Sequence, residues 1–110
     1  FYERQKEYEK AENVLKYLLS KNPKDAYLHF RLGMVYKEAG HCETAISELL
    51  RSMELAPHII NSYEELGNIY ADRYKDLEKA KYYYAKGIED APNAKSKAED
   101  LRWMIQDLEH

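Results

Sequence analysis

The sequence is poor in the residues that staple or kink a chain. Across 110 residues it has one cysteine, three prolines, four glycines and one tryptophan. A lone Cys42 excludes a disulfide framework, or a zinc site built on several thiolates, within one chain. So few glycines and prolines argue against a domain rich in turns and hairpins. There is no charge excess of the kind nucleic-acid binders carry: 17 Lys and Arg stand against 20 Asp and Glu, a formal net charge of −3. No apolar run approaches the ~20 residues that span a bilayer. No basic segment followed by an apolar one opens the chain, so no secretory signal is visible and a cytoplasmic location is expected.

What is present suits one small globular domain. Apolar residues make up 45% and charged ones 34%, too apolar for a disordered tail. The chain opens at Phe1 rather than Met, which reads as a piece of a longer chain or one that has lost residues. Leu108-Glu109-His110 reads as the start of a vector-encoded tag, so His110 is given no functional weight.

Internal repetition decides the fold. Pro23, Pro57 and Pro92 are spaced by 34 and 35 residues, and Ala11, Ala45 and Ala80 show the same two spacings. Leu32-Gly33 and Leu66-Gly67 are 34 apart, as are Tyr36 and Tyr70. Each alanine is followed four residues later by a large apolar residue: Leu15, Leu49 and Tyr84. His29, Leu32, Gly33 and Tyr36 fall on one helical face, and Tyr63, Leu66, Gly67 and Tyr70 repeat it. A mid-helix glycine costs about 1 kcal/mol against alanine. Two at equivalent sites therefore predict a close helix–helix approach, with Ala45 and Ala80 as small partners. Gly40 suits a turn that needs positive φ, and each proline ends a helix or starts a turn.

The patterns His29-x2-Leu32-Gly33-x2-Tyr36…Ala45-x3-Leu49…Pro57 and Tyr63-x2-Leu66-Gly67-x2-Tyr70…Ala80-x3-Tyr84…Pro92 resemble the tetratricopeptide repeat. The third unit, with one extra residue between Tyr70 and Ala80, also resembles Sel-like repeats and predicts a different inter-helix turn. The resemblance implies an all-α fold, a superhelical solenoid of helix–turn–helix repeats. Residues 1–25 form a partial repeat, 26–59 and 60–94 two repeats, 95–108 a capping helix and 108–110 the tag remnant. Helices are expected near 7–20, 26–39, 42–55, 60–72, 76–90 and 95–108, with Phe1 to Gln5 as the remnant of an earlier helix. Ser96-Lys97-Ala98-Glu99 reads as a capping box. Ala98, Leu101 and Ile105 keep the packing phase, and Arg102 replaces the glycine, as suits a terminal element with a polar outer face.

No residue set reads as a reaction centre. His41 and Cys42 are sequence neighbours, an arrangement that rarely puts an imidazole beside a thiol with a third group to orient it. His29, His41 and His58 lack the i, i+4 spacing of a helical chelate, so no metal is expected. His29 is expected in the core. Eleven tyrosines without a positive groove do not make a nucleic-acid stacking platform. Phosphate-loop, dinucleotide and nucleophile-elbow patterns are absent, so no cofactor and no enzymatic activity are expected.

The resemblance implies instead a protein-interaction module whose first helices line a concave groove. The groove phase selects Tyr27, Phe30, Met34 and Lys37, then Asn61, Glu64 and Asn68, then Glu99 and Trp103. The expected ligand is a peptide or helix, apolar with a basic flank because Glu64 and Glu99 outnumber Lys37. Nucleic acid and membrane are not expected partners. A self-association through the open repeat edge fits the alternative role, an architectural segment of a longer array that serves a neighbouring domain. The carboxylate-clamp type of groove is not reproduced, because Arg31 lies off the groove phase.

Overall fold

Asp25 and Asp76 start two of the helices by accepting bonds from orphan backbone N–H groups. Asp25 Oδ1 accepts from Tyr27 N at 3.0 Å and Leu28 N at 3.3 Å, and Asp76 Oδ1 accepts from Lys79 N at 3.1 Å. The computed structural model describes residues 2–91 and 93–109, with side chains from residue 4 onward. Among the described residues the elements are six helices: α1 (Tyr2–Lys21), α2 (Ala26–Glu38), α3 (Cys42–Leu55), α4 (Ile60–Asp72), α5 (Leu77–Asp90) and α6 (Lys95–Leu108). The chain is all-α. It divides into two compact units, residues 1–55 with α1–α3 and residues 56–110 with α4–α6. Pro92 and Phe1, which the repeat spacing and the helical remnant invoke, lie outside the described residues, as does His110.

In the first unit, α2 packs against both α1 and α3. Ala45 and Leu49 of α3 are completely buried. A methyl placed on Gly33 would meet Leu49 Cγ at 2.9 Å and the Ala45 carbonyl at 3.3 Å. The expected small-residue contact is therefore where the helices approach. His29 joins three segments: Nδ1 lies 3.0 Å from Glu48 Oε1 on α3, and Nε2 lies 3.0 Å from the Pro23 carbonyl in the preceding turn. Tyr36 donates its hydroxyl to Glu12 on α1 at 3.0 Å. Burial, and after it that bond, hold the Tyr36 phenol above its ordinary range.

The second unit repeats the plan with larger side chains. Tyr63 and Leu66 of α4, Ala80 and Tyr84 of α5, and Leu101 of α6 are buried. A methyl on Gly67 would run into the Tyr84 ring, and one on Gly87 would meet Tyr63 Cβ at 2.8 Å. Tyr63 donates to Asp90 Oδ2 at 2.7 Å. Ile60, Ala80, Tyr84, Ala91 and Leu101 form a continuous core, with Met104 and Ile105 of α6 packed on it.

Two local expectations are corrected. α1 runs unbroken from Tyr2, so residues 2–5 are not a separate remnant before a helix at 7. The physical reason is composition: Glu3-Arg4-Gln5-Lys6-Glu7 are good helix formers, with no glycine, proline or capping residue among them. The capping box at Ser96 does not form. α6 begins at Lys95, as expected, but its N-cap is Ala94, two residues before Ser96, with no side-chain cap bond. Ala98 N donates to the Ala94 carbonyl at 2.9 Å, and Ala94 packs on the core, which places Ser96 inside the first turn. The differing turns follow the inserted residue. Gly40, at φ 89°, closes the three-residue α2–α3 link, and Lys75, at φ 54°, closes the four-residue α4–α5 link.

Candidate protein-binding groove

The first unit holds a cavity of about 860 Å³ in the trough between α1 and α2. Tyr27, Phe30 and Met34 line it from α2, together with Leu28 and Val35. From α1 come Ala11, Val14, Leu15 and Leu18, and the charged rim is Lys10, Arg31 and Glu38. Antiparallel packing explains the convergence: the Tyr36–Glu12 bond pins one end, and the Asp25 cap sets the other. Three of these residues are exposed enough to be noticed in a folded protein: Tyr27 at 59%, Val14 at 58% and Leu18 at 37%. Contiguous apolar exposure of this kind makes the trough a candidate interaction surface.

Of the residues singled out on groove phase, Tyr27, Phe30 and Met34 thus share one cavity, and Lys37 is half-buried on the same helix outside its lining. The α1 residues were not among them. Their signal was readable, because Val14 and Leu18 are bulky apolar residues on a helix whose other exposed side chains, Tyr17 apart, are polar.

The remaining groove-phase residues belong to the second unit, and two of them are engaged within it. Glu64 accepts from Lys97 Nζ through both carboxylate oxygens, at 3.0 and 3.2 Å. That ion pair links α4 to α6 and removes the basis for expecting Glu64 to select a basic ligand. Asn68 accepts the Tyr84 hydroxyl on Oδ1 at 2.6 Å and donates to Glu65 at 3.5 Å. Asn61 Oδ1 is buried with no hydrogen-bond partner among the described residues. Glu99 is exposed beside Ile88, Lys95 and Arg102, and Trp103 is 65% exposed.

Tyrosines cluster on the second unit. Tyr70 and Tyr83 stack at 5.5 Å with rings nearly parallel, Tyr82 meets Tyr83 edge-on at 5.1 Å, and Lys79 lies 5.2 Å from the Tyr70 ring centre. Burial, ahead of the neighbouring phenols, pushes the Tyr83 phenol up. Cys42 is a half-buried free thiol. Among the described residues no group of three His, Cys, Asp or Glu side chains is placed to hold a metal ion. None of the described helices is long and apolar enough to cross a membrane.

Repeated antiparallel helix pairs, with glycine contacts at fixed offsets and an open apolar trough, define a helical-repeat protein. The chain is similar to tetratricopeptide repeat protein 37 of Xenopus laevis, with 29% identity over 96% of this chain. It spans 7% of that relative's length. No protein-family model matches the chain. The chain resembles the tetratricopeptide repeat in its spacing, its helical hairpins and this relative.

Proposed function

We propose that this chain is a non-enzymatic protein-interaction module that binds a peptide or helix in its groove. The apolar trough of the first unit, lined by Tyr27, Phe30 and Met34, is the observation that carries the reading. Covering each large side chain fully contributes about 1.5–3 kcal/mol. Three such residues support micromolar recognition after the costs of association. The ligand is apolar on its buried face. In the second unit Asn61 Oδ1 is buried, and Asn68 and Glu64 would have to exchange existing partners to contribute.

The test is a crosslinking screen run in parallel with Phe30→Ala/Met34→Ala and with Glu64→Lys. Loss of a partner with the first variant, while the circular dichroism melt is retained, supports the groove. If both variants stay folded and keep every partner, the binding surface lies elsewhere. The small share of the relative that this chain spans favours a second reading, an architectural segment of a longer array. That reading predicts concentration-dependent self-association in analytical ultracentrifugation and no ligand for the trough.

A further inference from the structure

Side-chain sizes alternate across the helix pairs. In the second unit Tyr63 of α4 lies on Gly87 of α5, and four residues on, Gly67 lies on Tyr84. Bulk therefore meets a small residue at both levels. The repeat offsets carry Ala80, Tyr84 and Gly87 onto Ala45, Leu49 and Ser52 of α3, and onto Ala11, Leu15 and Leu18 of α1. Ser52 is completely buried, and Gly87 is buried beneath Tyr63 of α4. Leu18 departs from both. It is large where they are small, it is partly exposed, and among the described residues no helix lies over it.

Charge adds a second constraint. α4 and α6 run parallel, because each pairs antiparallel with α5. Glu64 of α4 reaches Lys97 of α6 at 3.0 Å. The same offsets map Lys97 onto Leu28 and Asp100 onto Arg31. A helix laid on α1 as α4 lies on α5 would put the residue four beyond the Glu64 position on the same face, beside Arg31. Arg31 is exposed, lines the trough and makes no ion pair among the described residues.

We propose that the α1/α2 trough takes one further amphipathic helix, antiparallel to α1, with small residues over Leu15 and Leu18 and an acidic residue beside Arg31. This rests on the reading of the trough as a protein-binding surface and specifies the ligand. A bulky residue over Leu18 overpacks the contact, and a basic one opposite Arg31 repels.

The probe is a labelled peptide of residues 58–74 carrying Tyr63→Ala and Asn68→Glu, held helical by a lactam on its outward face. Its counterpart keeps Tyr63. Fluorescence anisotropy against the 110-residue chain is expected to give micromolar binding of the first peptide, about tenfold tighter than the second. Leu18→Ala, at an exposed site whose fold a thermal melt checks, should abolish that preference. Arg31→Glu should weaken binding several-fold, and a peptide with Asn68→Lys should recover it. Amide shifts should map to Val14, Leu18 and Tyr27. Equal affinities for the two peptides, a preference that survives Leu18→Ala, or no binding of either would each overturn the proposal. So would self-association that Val14→Asp abolishes, with neither peptide bound, since a second copy would then be the occupant. Partners lost with Phe30→Ala/Met34→Ala but no size preference would keep the broader reading and overturn this one.

Discussion

Gly33 and Gly67 occupy equivalent positions but should not respond alike to substitution. A methyl at 33 meets Leu49 Cγ at 2.9 Å and the Ala45 carbonyl at 3.3 Å, an overlap that a shift of a few tenths of an ångström between α2 and α3 relieves, while helix propensity gains about 1 kcal/mol. Gly33→Ala is therefore expected to stay within about 1 kcal/mol of the parent. A methyl at 67 strikes an aromatic ring whose hydroxyl is tied to Asn68. That ring cannot move without breaking a bond, so Gly67→Ala should cost about 1–3 kcal/mol. Urea melts of the two variants, compared at constant slope, check the difference. Both glycines were legible in the sequence because two mid-helix glycines at a fixed offset need a packing reason. The distinction between them was not, since it depends on how closely the opposing side chain at 49 or 84 approaches the glycine.

At the scale of elements, the α4–α5 link stores a cost that the α2–α3 link avoids. Lys75 holds a left-handed backbone at φ 54°, a conformation costing an L-residue about 1–2 kcal/mol, whereas Gly40 adopts φ 89° freely. Lys75→Gly is expected to raise stability by about 0.5–1 kcal/mol, less than the full relief because glycine also loosens the unfolded chain. A rise of a few degrees in melting temperature is the readout. The start of α6 offers a comparable gain. Ala94 is an N-cap without a side-chain acceptor, and Ala94→Ser should add about 0.5–1 kcal/mol if the core tolerates the hydroxyl. The inserted residue was visible as a break in the 34-residue spacing. The start of α6 was legible, but its N-cap was misread because Ser96 fits a capping pattern locally, and the apolar packing of Ala94 overrides it. The Glu64–Lys97 pair joins residues 33 apart on two helices, and a one-dimensional groove phase carries no information about it.

For the molecule as a whole, the buried phenols set an alkaline limit. Burial, ahead of the nearby Asp72, Glu64 and Glu65, pushes the Tyr84 phenol up to about 12. Burial and the Asp90 bond push Tyr63 up as well. Both groups keep their protons longer in the folded state than in the unfolded one. Their contribution is therefore fully present below pH ~10, where the free phenol also holds its proton. It is lost as pH rises from there towards 12. The folded fraction should fall in that window, with tyrosinate absorbance rising in two phases and the second coinciding with loss of ellipticity. A single smooth titration with retained helicity would contradict the burial of these two rings.

The exposure of Trp103 has an optical consequence. It is the one indole in the chain, and 65% of its surface faces solvent in the folded state. Its emission is expected to be that of a hydrated fluorophore, so unfolding should shift the spectrum little, which makes tryptophan fluorescence a poor thermometer for this fold. The same property makes it a sensitive reporter of contact. Any molecule that covers α6 at that point dehydrates the ring and moves its emission to the blue, against a background that folding itself leaves flat.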